Sequence, residues 1–143
     1  MITKTELNRV RHTAERVRSL EWRIQRLKDQ VTQCTAQLTG MPHGGSSADR
    51  MAEYVAQAEQ LQERYTKLVL ELTQEQLRIE RAFDRLPEQQ ARIMRLRYID
   101  YTNEYSWRKI SRVVHLSEGH CANIHTAALK RLREMEDNNE QTN

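Results

Sequence analysis

The segment from Ser106 to Leu132 constrains the fold more than any other, because it carries two helix-start signals a short distance apart. Ser106 precedes a short helical pattern, a turn follows around Leu116, and Ser117 precedes a longer, basic helical pattern. A serine hydroxyl can accept a hydrogen bond from the free N–H groups of the helix that it opens. The segment therefore predicts two helices joined by a three-residue turn, a helix-turn-helix.

The residues between these signals fit the packing of such a motif. Two short helices that cross steeply need apolar side chains where they touch and a small side chain at the closest approach. The apolar positions hold Ile110, Val114, Leu116, Cys121 and Ile124, and the small position holds Ser111. His115 occupies the turn position that favours glycine, because the backbone there often has a positive φ. We therefore expect some conformational cost at His115.

Charged and polar side chains fall on the opposite faces of both helices at 100° per residue. A motif of this kind commonly places its second helix in a groove of DNA. The candidates for contact with base edges are Glu118, Gly119, Ala122, Asn123 and Thr126. The candidates for contact with phosphate are Ser106, Arg108, Lys109, Arg112, Ser117, His120, Lys130 and Arg133. In this division Asn123 reads an adenine edge, and Thr126 meets a thymine methyl or a phosphate.

Basic residues are concentrated in this part of the chain. From Pro87 to Arg133 there are nine Lys or Arg residues and four acids, a net charge of +5, whereas the whole chain carries +3. Such a local excess favours a phosphate-binding surface over a merely solvated helical face. An acidic segment, 134–143, follows, and we expect it to be a disordered tail.

Metal binding and catalysis are not indicated. His115, His120 and His125 are five residues apart and fan around a helix, whereas zinc sites need four well-placed ligands. We expect His120 and His125 to flank the DNA and to strengthen binding when protonated. The sequence shows no glycine-rich phosphate loop, nucleophile elbow or metal-spaced carboxylate cluster, so we expect no enzyme and no cofactor.

Composition indicates a helical protein of one or two small domains. Only 38% of its 143 residues are hydrophobic, with four Gly and two Pro, and no strand-like alternation appears. There is no apolar run that could span a membrane and no signal-like segment at the start, so we expect a cytoplasmic protein. The two cysteines, Cys34 and Cys121, are interpreted as reduced packing residues.

The first 86 residues carry two long apolar series with spacings of three or four residues, apart from two steps of seven residues at the end of the second series. The first consists of Leu7, Val10, Ala14, Val17, Leu20, Ile24, Leu27, Val31, Cys34 and Leu38. After a Gly-rich break at 40–47, the second consists of Met51, Tyr54, Ala58, Leu61, Tyr65, Leu68, Leu72, Ile79 and Leu86. Each helix would extend about 50 Å at 1.5 Å per residue, so the break most simply folds them into an antiparallel coiled-coil hairpin.

The charges of the two helices agree with this pairing. Residues 1–39 hold eight bases and four acids, whereas residues 48–86 hold six bases and eight acids. A two-helix hairpin buries little apolar surface, so Trp22, Tyr54 and Tyr65 are expected to meet a partner. The candidate partners are a second copy of the chain, the C-terminal domain and RNA polymerase. The remaining alternative is that the hairpin is a spacer without a binding role.

Pro87 separates the hairpin from the basic region, because proline fits the first turn of a new helix and disfavours helical geometry in the residue before it. Ile93, Met94, Leu96 and Tyr98 then supply packing for a third helix beneath the motif. The predicted domains are thus a hairpin at 1–86, a helix-turn-helix domain at 87–133 and the tail at 134–143. The fold class is all-α.

Three segments resemble region 4 of sigma-70-type factors: Leu86–Tyr98 (LPEQQARIMRLRY), Ser106–Ser111 (SWRKIS) and Ala128–Leu132 (ALKRL). Within that group the chain resembles the small phage and prophage regulators of the ArpU, or autolysin-regulatory, family. Leu38–Gly45 (LTGMPHGG) resembles a hallmark of that family. The resemblance implies a DNA-binding regulator of phage late or structural genes in a bacterial host, with a possible contact to RNA polymerase.

The chain departs from the sigma pattern at the start of the recognition helix. Positions that present arginines and a glutamate in sigma factors align with Glu118, Gly119 and Ala122, and a glutamine is replaced by Asn123. The module of a sigma factor that melts the promoter has no counterpart here. The resemblance therefore implies a regulator that reads a DNA sequence other than the ordinary promoter element.

A homodimer formed through the coiled coil would let two recognition helices address two half-sites. Two other functions stay open. In one, the chain is a protein-binding adaptor on RNA polymerase; in the other, it is the small subunit of a phage terminase, although the DNA-binding domain of that subunit is usually N-terminal.

Overall fold

The computed structural model describes residues 2–40, 45–100 and 106–142. At 37–40 and 45–47 it describes the backbone only. Five helices account for the described chain, and no strand occurs within these ranges. They are α1 (Lys4–Gly40), α2 (Gly45–Phe83), α3 (Glu88–Tyr98), α4 (Trp107–Val114) and α5 (Glu118–Thr142). The all-α prediction is confirmed. The central part of the predicted break at 40–47, residues 41–44, lies outside the described residues.

The chain divides into two compact units, and the division differs from the predicted domain boundaries. The helix-turn-helix unit comprises Met1–Ala14 and Leu72–Asn143, and the hairpin unit comprises Glu15–Glu71. The boundary therefore crosses both long helices instead of falling at Pro87. The first turns of α1 and the last turns of α2 belong with the basic C-terminal helices.

The main core of the helix-turn-helix unit explains this division. Leu7 of α1 and Ile79 and Phe83 of α2 are fully buried in one cluster with Met94 and Tyr98 of α3. Ala128 and Leu132 of α5 complete the cluster. Truncating a buried phenylalanine to alanine typically costs about 3–5 kcal/mol, so Phe83 alone binds α2 firmly to this unit.

A second cluster in the same unit holds the helix-turn-helix together. Ile110 of α4 and Cys121 of α5 are fully buried against Ile93 of α3. Leu96, Trp107, Val114 and Leu116 cover the edges of this cluster. Most of the apolar positions assigned from the sequence therefore face one another across α3, α4 and α5.

A short non-helical segment that includes Pro87 separates the long helical run of α2 from α3. α2 stops at Phe83, and Pro87 has φ −52° and ψ 146° immediately before α3 begins at Glu88. The missing N–H of proline falls at a helix start, where no intrahelical partner is required. The turn thus redirects the chain from α2 into the three C-terminal helices.

The hairpin unit is an antiparallel pair formed by parts of α1 and α2. Leu20 and Ile24 of α1 pack with Leu61 of α2, and the Tyr65 hydroxyl donates a hydrogen bond to Glu21 at 2.7 Å. Thr35, further along α1, meets Met51, which lies earlier on α2. Later residues of α1 therefore contact earlier residues of α2, which confirms the predicted antiparallel hairpin.

The acidic C-terminal segment is helical, whereas a disordered tail was expected. α5 continues to Thr142, and Met135 packs against the main core of the helix-turn-helix unit. The backbone N–H of Ile2 donates to a Glu136 carboxylate oxygen at 2.6 Å. The apolar and polar contacts of residues 135 and 136 hold this part of α5 in place, whereas residues 137–142 are exposed.

Among the described residues, none of the helices has an apolar stretch of the length that a membrane-spanning helix requires.

Candidate nucleic-acid interface

Both helix starts of the motif have the predicted caps. Ser106 has an extended backbone, φ −71° and ψ 159°, and its hydroxyl accepts a hydrogen bond from the Lys109 N–H at 3.3 Å. The Ser117 hydroxyl accepts from the His120 N–H at 3.1 Å. Each cap satisfies one of the N–H groups that have no partner inside the helix. The caps thus define where α4 and α5 begin.

The turn between α4 and α5 has the strained geometry expected at His115. This residue lies in the left-handed region, with φ 57° and ψ 40°, and no other non-glycine residue in the described chain has a positive φ. The N–H groups of His115 and Leu116 both reach the carbonyl oxygen of Ser111. These bonds close α4 and turn the chain sharply into Ser117.

The base-facing candidates lie on the outer surface of α5. Cys121, Ile124, Ala128 and Leu132 form its buried stripe. Glu118, Gly119, Asn123 and Thr126 are exposed, and Ala122 is half-buried. A Cβ atom placed on Gly119 would meet nothing within 4 Å, so the surface there is open. At 100° per residue, Gly119, Asn123 and Thr126 point directly away from the buried stripe.

The hydroxyl hydrogen of Thr126 is already used in a hydrogen bond within α5. Its hydroxyl donates a hydrogen bond to the Ala122 carbonyl oxygen at 3.0 Å. The donor is therefore occupied within the helix, and the γ-methyl group and an oxygen lone pair remain for a ligand. This arrangement favours the thymine-methyl alternative for Thr126 over donation to a phosphate.

All eight phosphate-facing candidates are solvent-exposed. They are Ser106, Arg108, Lys109, Arg112, Ser117, His120, Lys130 and Arg133. Within residues 2–40, 45–100 and 106–142, none of the five Lys or Arg side chains in this set takes part in an ion pair. The two serine hydroxyls serve as caps, so the cations are the stronger candidates for binding an anion. Lys130 and Arg133 share the outward face of α5 with Asn123.

The prediction for His125 is wrong. This residue is only 6% exposed and its Nε2 atom lies 2.6 Å from the Tyr98 hydroxyl oxygen. Its ring also packs on Tyr98, with centroids 5.7 Å apart, and against the edge of Trp107 at 5.0 Å. Burial, followed by the charges of Lys4 and Arg97, lowers the pKa of His125 to about 4. A buried neutral imidazole cannot contact phosphate or add charge at mildly acidic pH.

A signal for this position was present in the sequence. His125 follows Cys121 by one helical turn and Ile124 by one residue, so it lies at the edge of the buried stripe. A polar ring at such an edge needs a hydrogen-bonding partner, and Tyr98 supplies it from α3. Burial raises the pKa of the Tyr98 hydroxyl, which keeps it a neutral phenol. The Tyr98–His125 pair therefore joins α3 to α5.

Sequence reasoning also missed Arg97. Its guanidinium carbon lies 4.6 Å from the centroid of the Trp107 ring, a cation–π contact between α3 and the first residue of α4. Burial and the charge of Arg11 lower the pKa of Arg97. No spacing rule identifies this contact, because it depends on how α3 crosses α4.

Cys34 and Cys121 are both buried free cysteines, in agreement with a packing role. Burial raises the pKa of the Cys121 thiol, which disfavours the thiolate that a metal would need. Among the described side chains, no group of three or more His, Cys, Asp or Glu is placed to hold a metal ion.

Residues 82–134 match the family described as Sigma-70, region 4. The match begins at the end of α2 and takes in α3, α4 and the recognition helix α5 through the last of the phosphate-facing candidates. No curated protein and no solved structure matches the chain. The C-terminal part is thus similar to a DNA-binding domain of transcription factors, in agreement with the resemblance seen in the sequence.

Proposed function

We propose that this chain is a sequence-specific DNA-binding transcription regulator without catalytic activity. The observation that carries the proposal is the outward face of α5, where Asn123, Lys130 and Arg133 are exposed on the helix that follows a capped turn. The sigma-region-4 match over residues 82–134 supports the same function. In this proposal α5 enters the major groove and α4 lies over the backbone.

Affinity and specificity are assigned to different residues. Arg108, Lys109, Arg112, Lys130 and Arg133 contact phosphates and make binding sensitive to salt. Glu118, Gly119, Ala122, Asn123 and Thr126 face base edges and set the preferred sequence. Glu118 in the first turn of α5 repels phosphate from that helix end, so we place it over bases that can donate hydrogen bonds, such as cytosine.

The biological setting rests on the resemblance to the ArpU-like regulators. We propose that the protein acts in the cytoplasm of a bacterial host on late or structural genes of a phage or prophage. In this setting it contacts RNA polymerase at the promoter. The basic helix-turn-helix supports the DNA contact, and the hairpin offers a surface for the protein contact.

The hairpin unit supports a homodimer. Trp22 is 62% exposed, with Arg26 over its ring at 5.3 Å, and Val55 and Leu70 in the same unit are also exposed. Large exposed apolar side chains of this kind commonly mark a protein interface. Light scattering after size-exclusion chromatography should give twice the mass of the 17.0 kDa chain. The Trp22→Ser substitution should lower the measured mass towards that of the monomer.

One experiment separates the proposal from its alternatives. Gel shifts of promoter-bearing phage DNA should show binding by the protein alone, with an additional complex when RNA polymerase is added. Binding that occurs only with polymerase would favour the adaptor, for which the exposed Trp22 is the supporting observation. Binding only near a packaging site would favour a terminase subunit.

A further inference from the structure

An apolar groove runs between α1 and α2 in the hairpin unit. Its apolar lining consists of Ile24 and Val31 of α1 and Val55 and Ala58 of α2. Ile24 is buried, Val31 and Ala58 are half-buried, and Val55 is 40% exposed. The groove has a volume of about 440 Å³, which is more than any single side chain fills. A helical surface that offers several apolar side chains is therefore the kind of occupant that it fits.

The two sides of the groove carry opposite charges. Among the lining residues, Lys28 of α1 and Glu59 of α2 are the charged ones. Both are exposed, and neither takes part in an ion pair within residues 2–40, 45–100 and 106–142. The Thr32 hydroxyl, which also lines the α1 side, donates a hydrogen bond to the Lys28 carbonyl oxygen at 3.0 Å. An occupant of the groove therefore meets one cation on the α1 side and one anion on the α2 side.

Lys28 and Glu59 lie at nearly the same height along the hairpin. The cross-helix contacts at Tyr65 and at Thr35 fix the register of the two helices. Lys28 lies midway between the α1 residues of these two contacts, and Ala58 lies midway between the α2 residues. This register places Lys28 opposite Ala58, which adjoins Glu59.

This arrangement makes the groove complementary to a second copy of itself. When two such grooves meet face to face about a two-fold axis parallel to the helices, each Lys28 lies over Glu59 of the partner subunit. A two-fold axis across the helices would instead place Lys28 over Lys28 and Glu59 over Glu59, where like charges repel. The charges at the groove therefore select the first arrangement.

The net charges of the two helices select the same arrangement. Within the hairpin unit, residues 15–40 carry five Lys or Arg residues and three acids, whereas residues 45–71 carry three Lys or Arg residues and five acids. About the axis parallel to the helices, each positive α1 lies beside a negative α2 of the partner as well as its own. The other axis would bring α1 against α1, both positive.

We infer that this groove is the contact surface between two copies of the chain, which pack as a four-helix bundle with each α1 beside the α2 of its partner. The inference rests on the homodimer of the proposed function and gives that dimer a location and an orientation. Val55 and the exposed edges of the other apolar lining residues supply the contact area, and two Lys28–Glu59 pairs orient the copies.

Charge reversal in the full-length protein tests the inference. The dimer dissociation constant is measured by sedimentation equilibrium for Lys28→Glu and for Glu59→Lys. Each substitution should raise it about tenfold, because two attractive contacts become repulsive ones. An equimolar mixture of the two variants should recover the dissociation constant of the unsubstituted protein, since the acidic groove of one variant meets the basic groove of the other. Mixing leaves the charges within each copy unaltered, so this recovery reports the contact between copies.

The double variant, Lys28→Glu with Glu59→Lys, carries the same two charges in exchanged places. It should dimerise with itself and should not form mixed dimers with the unsubstituted protein. Arg23→Glu is the matched control, because Arg23 is also exposed on α1 but lies on the opposite flank of the buried stripe at Leu20 and Ile24. It should leave the dissociation constant unchanged. Circular dichroism of each variant identifies any loss of helix.

The outcomes separate this inference from the proposed function. Unchanged dissociation constants for both single variants, alongside a lowered mass for Trp22→Ser, would overturn the inference and leave the homodimer standing. A monomeric unsubstituted protein would overturn the homodimer and the inference together, and the gel shifts would still test DNA binding. If the single variants are weakened but both their mixture and the double variant stay monomeric, the substitutions damage the hairpin itself, and the inference is also overturned.

Discussion

Replacing His125 with glutamine tests how the recognition helix is anchored to the rest of its domain. Glutamine can keep a hydrogen bond to Tyr98, whose hydroxyl lies 2.6 Å from His125 Nε2, but it cannot take up a proton. In the folded protein the pKa of His125 is about 4, against 6.5 ordinarily. The unfolded chain therefore binds the proton first as the pH falls. The stability contributed by the neutral ring is present in full above pH 6.5 and is lost progressively towards pH 4.

The magnitude follows from the size of the shift. Each pH unit between the two pKa values changes the free energy of unfolding by about 1.4 kcal/mol. Between pH 7.5 and pH 5 the unsubstituted protein should lose about 2 kcal/mol through His125, and at pH 4 the loss approaches about 3 kcal/mol. The difference in free energy of unfolding between the unsubstituted protein and His125→Gln should therefore be about 2 kcal/mol smaller at pH 5 than at pH 7.5.

The assay is urea unfolding at pH 7.5 and pH 5, followed by tryptophan fluorescence. The chain has two tryptophans, and Trp107 contacts His125 directly, so a Trp22→Phe background makes the signal specific for the helix-turn-helix unit. All other groups titrate alike in the two proteins and cancel in the comparison. An equal pH dependence in the two proteins would refute the conclusion that His125 is neutral and anchors α5.

Four further predictions concern the motif. Lys130→Ala should weaken binding to every DNA sequence and reduce the slope of log K against log salt by about 0.9, as measured by fluorescence anisotropy. Arg131→Ala should not, because Arg131 is also exposed but lies on another side of α5. Asn123→Ala should instead cost about 1–3 kcal/mol on the preferred sequence and little on a scrambled one, as measured by competition. Ser117→Ala should lower the free energy of unfolding by about 1 kcal/mol in urea, because the cap to the His120 N–H is lost. His115→Gly should raise the thermal midpoint, since glycine adopts φ 57° without steric cost; an unchanged or lower midpoint would contradict the strain argument.

The local chemistry of the motif was predictable from the sequence because it depends on neighbours in the chain. Ser106 and Ser117 cap the helices that follow them, and His115 adopts the positive φ that its place in the turn requires. The buried stripe of α5 follows from the helical period alone. For the same reason the antiparallel hairpin could be inferred from two apolar series and one Gly-rich break.

The arrangement that depends on distant contacts was not predictable in this way. The apolar series of α2 changes at Leu72 from steps of three and four residues to steps of seven, but seven residues return to the same face of a helix, so the series alone does not assign Ala14 and Leu72 to a unit boundary. Arg97 gains its role from Trp107, which lies on another helix. α5 is held at Glu136 by a hydrogen bond from Ile2, which lies at the other end of the chain.

Selection of bound duplexes from a random-sequence pool tests the central claim most directly. The full-length protein should enrich one sequence motif, arranged as two half-sites if the protein is a dimer, and Asn123→Ala should relax that motif while Arg131→Ala preserves it. Recovery of a pool without sequence preference, or the same motif from the Asn123 variant, would contradict a recognition helix that reads bases through this face of α5.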